Sequence, residues 1–442
     1  MKYVYNIAIW FYCLAVRVVA MFNPKVRLMW QGEQVAFDKI RGNVVDGDRV
    51  VWVHAASLGE FEQGRPLIEK LKRENPEYKI VLTFFSPSGY EVRKNYAGAD
   101  VICYLPLDTV GNARRFVELV KPEKVVFVKY EFWLNYLREL RCRGVETYII
   151  SAIFRPNQVF FKWYGGLFRE GLKAFKTLFV QNEESKELLK GIGVENVVVA
   201  GDTRFDRVVD VVAMAKRLEI VESFVGIRNE ECGMRNGVLV VGSSWGPDEE
   251  LLAEYINSRA GRVKMIIAPH EVREERIKEL TSKLTCKWML YNEELGMRNE
   301  DLDPSVLRTP PLKQGRNIVR HSDLGDVDCL VVNMIGVLSS IYQYGQVAYI
   351  GGGFGVGIHN TLEAAAWGMP VVFGPNYKKF KEACELIECG AARSIETKEE
   401  CFAALDEFFE RNAEPANAAT EYVSSHVGAT GMIYDAVFLC GE

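Results

Sequence analysis

Short apolar runs rich in Val and Ile recur along the chain, separated by stretches with the three-to-four-residue spacing of amphipathic helices. A first series falls at 49–54, 79–85, 101–104, 124–130, 146–151, 178–181 and 196–200, and a second at 237–242, 263–268, 287–291, 329–333, 346–350 and 370–373. The runs are nearly continuous in apolar residues and show no in/out alternation. This is the pattern of parallel strands covered by helices on both faces. Strand and helix alternating on this scale predict an α/β protein made of doubly wound sheets.

The two series divide the chain. Residues 206–236 are charged and mainly helical in pattern, and are read as a linker. The expected organisation is therefore 1–24, an apolar N-terminal helix; 25–205, a first Rossmann-like domain; 237–400, a second; and 401–442, a C-terminal helical segment. Within the second domain, 292–315 is polar and carries Pro304, Pro310 and Pro311, which suggests a surface insertion. In doubly wound sheets ligands sit at the carboxyl ends of the strands, so a cleft between the two domains is the expected site.

Residues 3–22 are apolar or aromatic except for Asn6, Cys13 and Arg17. A helix of that length rises roughly 30 Å, the thickness of a bilayer core. Lys25, Arg27, Lys39 and Arg41 follow it, which places the rest of the chain on the cytoplasmic side by the positive-inside rule. The segment is read as a membrane anchor, with spanning and in-plane arrangements both open. A cleaved signal peptide fits less well, because Arg17 interrupts the apolar region just before the small residues Val18, Val19 and Ala20.

Composition narrows the class only broadly. With 48% apolar and 26% charged residues the chain is neither disordered nor collagen-like, and a formal charge of −5 suggests no affinity for nucleic acid. Its 10 cysteines form no C-x-x-C pair and read as reduced, mostly buried thiols of a reducing compartment.

Several signatures are missing. There is no P-loop, the glycines of 351–357 never reach G-x-G-x-x-G spacing, and His270-Glu271 does not continue to a zinc-binding helix. Asp301/Asp303 and Asp326/Asp328 imitate a D-x-D pair, but they lie in polar connecting segments and no metal site is assigned.

Three motifs remain at predicted strand ends. His54-Ala55-Ala56-Ser57-Leu58-Gly59-Glu60 follows the 49–54 strand, and its small residues permit a sharp turn into a helix. Glu60 is placed either to accept a proton from an attacking hydroxyl or to favour the helix N-terminus. The stretch Tyr349 to Glu363 ends a strand in a glycine-rich loop, including Gly352 and Gly353, and then His359 and Asn360. Such a loop lets backbone amides approach a phosphate, and the following helix is expected to add its field. Asn360 and Glu363 have capping-box spacing, and Glu363 alternatively suits ribose hydroxyls. Ser243 and Ser244, after the 237–242 strand, could cap a helix or donate to a phosphate. Finally, 160–176 mixes aromatic residues with Lys162, Arg169, Lys173 and Lys176, which suits either a membrane-surface or anionic-lipid patch or a core helix with a basic edge.

Together these motifs resemble the lipid A Kdo (3-deoxy-D-manno-octulosonic acid) transferases of lipopolysaccharide assembly. The resemblance runs through the anchor, 54–60, Lys129-Tyr130-Glu131-Phe132-Trp133, Ser151-Ala152, 201–206, 242–244, Ala268-Pro269-His270 and 351–375. It implies a GT-B fold and an inverting, metal-independent glycosyltransferase with no cofactor. It further implies CMP-Kdo as donor on the C-terminal domain. The implied acceptor is lipid IVA, met by the N-terminal domain at the cytoplasmic face of the inner membrane. Carried over residue by residue, Glu60 is the general base. Ser243, Ser244, Pro269, His270, Gly336, Gly352, Gly353, His359, Asn360 and Glu363 bind donor, and Ser57, Glu131, Lys162, Arg169 and Lys173 meet acceptor or membrane. The chain departs from the family at Leu134, where Pro is frequent, at Pro269-His270-Glu271 in place of Pro-Arg-His, and at Asn333, where Asp is common. Other readings of the same architecture are a different GT-B nucleotide-sugar transferase, a sugar-nucleotide epimerase, or a membrane-tethered nucleotide-binding module without turnover.

Overall fold

The computed structural model describes residues 2–226, 237–291 and 321–439. The expected insertion 292–315 and residues 227–236 of the expected linker lie outside them. The described chain forms two compact units, Met1–Arg207 with His426–Glu442, and Val208–Ser425.

The first unit is built on a seven-stranded parallel sheet of β1 (Arg49–His54), β2 (Tyr78–Phe84), β3 (Val101–Tyr104), β4 (Lys124–Val128), β5 (Glu146–Ala152), β6 (Thr177–Val180) and β7 (Val197–Val199). Their order is β3-β2-β1-β4-β5-β6-β7, with the switch of direction beside β1. Helices α1 (Lys2–Phe22), α2 (Pro24–Asn43), α3 (Leu58–Glu74), α4 (Pro87–Arg93), α5 (Val110–Val120) and α6 (Leu134–Cys142) open the helical set. Trp52, Phe116, Phe127 and Tyr136 fill one face of the sheet, and Phe61, Leu82, Phe84 and Phe179 the other. Each fully buried aromatic or aliphatic side chain contributes about 1.5–3 kcal/mol, so strands this apolar are committed to a two-sided cover.

The second unit repeats the plan with β8 (Gly237–Ser244), β9 (Val263–Pro269), β10 (Trp288–Tyr291), β11 (Cys329–Val332), β12 (Val347–Ile350), β13 (Val371–Phe373) and β14 (Ala392–Ser394). All are parallel, in the order β10-β11-β9-β8-β12-β13-β14. Asp328, half of one D-x-D pair, accepts backbone N–H groups of Gly261 and Lys287 and so ties loops beside this sheet; Asp301 and Asp303 lie outside the described residues.

Three expectations change. Part of the expected linker is a packed helix, Glu219–Val225, with Ile220, Val221 and Phe224 buried in the second unit. The expected C-terminal segment is divided, because its last part returns to the first unit. There Ile433, Tyr434 and Val437 join the core around Phe61, and Asp206 accepts N–H groups of Gly428 and Thr430 at the start of helix Ala429–Tyr434. The described cysteines are less buried than expected, with Cys103, Cys329 and Cys401 buried and Cys142 and Cys389 exposed.

The break between α1 and α2 is written in Asn23-Pro24. Asn23 caps α2 by accepting from Lys25 N and Val26 N, Pro24 opens that helix, and Arg27 donates to the carbonyls of Ala20 and Met21 that α1 leaves open. α1 docks along one edge. Tyr5 Oη donates to Asp108 (2.6 Å), Asn135 donates to Asn6 (3.0 Å), and Val16 and Ala20 are buried. Its other side exposes Tyr3, Val4, Ile7, Phe11, Val18 and Phe22. α1 is long and apolar enough to cross a membrane.

Candidate active site

In the first unit the chemistry gathers where β1 and β4 end. The turn after β1 leads directly into α3, and Glu60 stands at the third position of that helix. Its Oε2 accepts from Ser57 N (3.0 Å) and Ser57 Oγ (3.3 Å), which makes the capping role real. Among the described residues Oε1 has no hydrogen-bond partner. Burial raises the carboxyl's pKa, Glu131 raises it further, and His54 and Ser57 oppose the rise. Capping fixes the side chain while the environment favours proton uptake, so the two roles proposed for Glu60 are compatible.

Glu131 is held by a chain of hydrogen bonds that the sequence does not display. Trp52 Nε1 donates to Thr83 Oγ1 (2.8 Å), Thr83 bonds His54 Nδ1 (2.8 Å), and His54 Nε2 faces Glu131 Oε2 (3.2 Å), which also accepts from Trp133 Nε1. The two ring nitrogens of His54 thus bridge Thr83 on one side and Glu131 on the other. His54, Thr83 and Trp52 are fully buried, so the relay is rigid. Lys129, just after β4, and Ser151, in β5, both have positive φ, 70° and 51°. Non-glycine residues in that region are strained, and here the strain sits near the carboxyl ends of two neighbouring strands.

The basic stretch is only partly outward. Arg169 donates to the carbonyls of Phe160 and Lys162, so it folds the loop instead of facing a ligand, and Lys173 pairs with Glu170 on the surface. Phe160 is buried, Lys162 is half-buried, and Trp163 and Tyr164 are exposed.

In the second unit, Trp245, His270 and His359 form a stack. Trp245 and His270 ring centroids are 4.6 Å apart and those of His270 and His359 4.5 Å, with interplanar angles of 25° and 24°. Trp245 Nε1 donates to His359 Nε2 (3.1 Å). Burial, and then His270, lower the His359 pKa, which favours the neutral ring that accepts this bond. The glycine loop lies alongside. Gly352 has φ 90°, and a Cβ on Gly353 would stand 2.6 Å from Gly374 backbone. Ser243 has φ 54° where β8 ends, and Gly351 packs onto the Ser243–Ser244 backbone.

Asp248, which carried no sequence signal, organises this region. It is 1% exposed and accepts from Trp245 N, Gly352 N and Tyr349 Oη, each at 2.9 Å. It therefore ties the start of helix Gly246–Ser258 to the glycine loop. Ser244 Oγ turns to Glu249, which pairs with Arg276.

The expected capping box is modified. The helix is only Leu362–Ala366 and starts after Thr361; Asn360 Oδ1 accepts from Leu362 N and its amide donates to Glu363 Oε1 (3.0 Å). So short a helix adds little field at the loop, contrary to the expectation. Pro269 ends β9 beside His270. Gly336 is exposed in a bend after β11 with φ 99° and no neighbour within 4 Å of an added Cβ.

Residues 30–207 match the family model described as 3-deoxy-D-manno-octulosonic-acid transferase (kdotransferase). The chain is 26% identical over 367 residues to the 3-deoxy-D-manno-octulosonic acid transferase of Aquifex aeolicus, covering 81% of this chain and 85% of that one. It is 26% identical over 408 residues to the enzyme of the same name from Bordetella pertussis, covering 88% and 86%. Among solved structures, UDP-GlcNAc 2-epimerase from Neisseria meningitidis superposes with a TM-score of 0.58 at 14% identity, covering 88% of this chain and 100% of that one. Acinetobacter baumannii MurG does so with 0.51 at 12%, covering 88% and 99%. These structural likenesses show the GT-B fold alone. Sequence relatives and fold agree: residues 30–207 carry the 3-deoxy-D-manno-octulosonic-acid (Kdo) transferase domain, and the chain is similar over most of its length to glycosyltransferases of that name.

Proposed function

We propose that this chain transfers Kdo from CMP-Kdo to a sugar hydroxyl of lipid IVA, with inversion, at the cytoplasmic face of the inner membrane. The observation that carries the reading is the state of Glu60. One carboxylate oxygen is fixed by Ser57, the other has no hydrogen-bond partner among the described residues, and burial together with Glu131 raises its proton affinity. In the reaction the acceptor hydroxyl gives its proton to Glu60 while its oxygen bonds to the anomeric carbon of Kdo. The bond from that carbon to the CMP phosphate breaks, and CMP leaves with the electron pair. Donor binding is assigned to Ser243, Ser244, Pro269, His270, Gly336, Gly352, Gly353, His359, Asn360 and Glu363, with Asp248 and Trp245 as positioning residues. Backbone amides of the glycine loop are suited to the phosphate charge. Ser57, Glu131, Lys162 and Lys173 are assigned to the acceptor side. Arg169 serves there only by shaping the loop.

α1 is proposed to lie in the membrane interface. Its docking contacts run from Tyr5 to Ala20, about 22 Å of helix, while the opposite side is apolar and exposed. A helix fastened over that length to a folded unit suits an in-plane anchor better than a spanning one.

Mass spectrometry of products formed by the purified chain from CMP-Kdo and lipid IVA tests the reaction. A mass gain of one or more Kdo units is expected. Release of free Kdo without modified lipid would contradict it.

A further inference from the structure

Outside the Glu60 site, the first unit holds a cavity of about 450 Å3 between α1, α2 and α5. Trp10, Leu14, Trp30 and Phe37 form its apolar wall, and Arg17 from α1 and Arg115 from α5 line it as well. Both arginines are exposed, and neither forms an ion pair among the described residues. Arg115 lies over the Phe37 ring, 4.2 Å from its centroid, which leaves the edge of its guanidinium available. Asp38, the other acid lining the cavity, is engaged by Arg41.

Glu33 is the unusual member. It lines the cavity, is only 6% exposed, and its Oε1 has no hydrogen-bond partner. Burial pushes its carboxyl up to about 8, with a backbone hydrogen bond from Leu107 opposing, so at neutral pH it is a donor awaiting an acceptor. A buried polar atom left without a partner is costly and calls for an explanation. Two unpaired guanidiniums, a protonated carboxyl and an aromatic wall match the phosphate of an acylated lipid. Guanidinium forks suit phosphate oxygens, and the volume is that of a small-molecule site. Trp10 and Leu14 belong both to this wall and to the exposed apolar side of α1, so the cavity opens where a membrane lipid would lie.

We propose that this cavity binds the phosphate headgroup of an anionic membrane phospholipid, held by Arg17 and Arg115 with Glu33 donating to it. The inference rests on the membrane reading of α1 and is independent of the transfer reaction.

Calorimetric titration of the full chain in non-ionic detergent with dihexanoyl phosphatidylglycerol tests it, with uncharged dihexanoylglycerol and an acylated glucosamine phosphate as comparison arms. The phospholipid is expected to bind at least about tenfold more tightly than the uncharged lipid. Arg17→Gln and Arg115→Gln, each checked for an unchanged melting transition, are expected to lose about tenfold or more, the size of a charge-assisted hydrogen bond. Equal binding of charged and uncharged lipid, or unaffected arginine variants, would overturn the proposal. So would preference for the glucosamine phosphate, which would give the cavity to a glycolipid.

Discussion

The indole N–H of Trp245 donates to Nε2 of His359 across 3.1 Å, and His270 stacks on both rings. Two residues 114 positions apart thus fix one imidazole in orientation and tautomer, at the strand ends where the donor is proposed to bind. Trp245→Phe keeps an aromatic ring in the stack and removes the hydrogen bond. A neutral hydrogen bond is worth about 0.5–1.5 kcal/mol, so CMP affinity is expected to fall roughly threefold to tenfold, read by calorimetry. Unchanged affinity would show that His359 does not depend on this contact.

Asp248 holds three donors from two loops and a strand. Asp248→Ala leaves two N–H groups and a phenol without their acceptor in a buried place. The variant is expected to lose at least about 3 kcal/mol in the denaturant transition of the second unit. A variant as stable as the parent would mean that these groups find other partners.

Burial and Glu131 both raise the Glu60 pKa. A general base works only when deprotonated, so the acid limb of kcat/KM is expected above the ordinary glutamate value of about 4.3. Glu131→Gln removes the like charge and is expected to move that limb to lower pH. A limb that stays in place would remove Glu131 from the electrostatics of the site.

Much of the fold is legible in the chain because parallel strands covered on both faces are apolar throughout. β1 and β3 have the bounds expected, and other strands shift by a residue or two. β14 escapes notice because only Ala392 of its three residues is buried. The catalytic candidate is legible too, since Glu60 follows its strand within a short turn. Its surroundings are not. His54 meets Glu131 across 77 positions and Gln63 meets Asp202 across 139, distances at which local pattern carries no information. Arg169 misleads in the opposite sense: a cation among aromatics reads as a surface patch, yet two carbonyls claim it.

The exposed side of α1 is proposed to meet the membrane. Phe11→Glu with Val18→Glu, at side chains 59% and 45% exposed, leaves the docked edge intact. Each replacement forfeits about 1.5–3 kcal/mol of apolar burial in lipid, so vesicle flotation is expected to fall at least about tenfold. Undiminished flotation would place the anchor elsewhere.

The most direct measurement is of Glu60→Gln, comparing CMP-Kdo binding with the rate of transfer to lipid IVA. Glutamine preserves the cap at Ser57 but cannot take a proton. Donor binding within about twofold of the parent, with kcat reduced at least about 10²-fold, is the expected result. Transfer at close to the parental rate would contradict the assignment of Glu60 as the base.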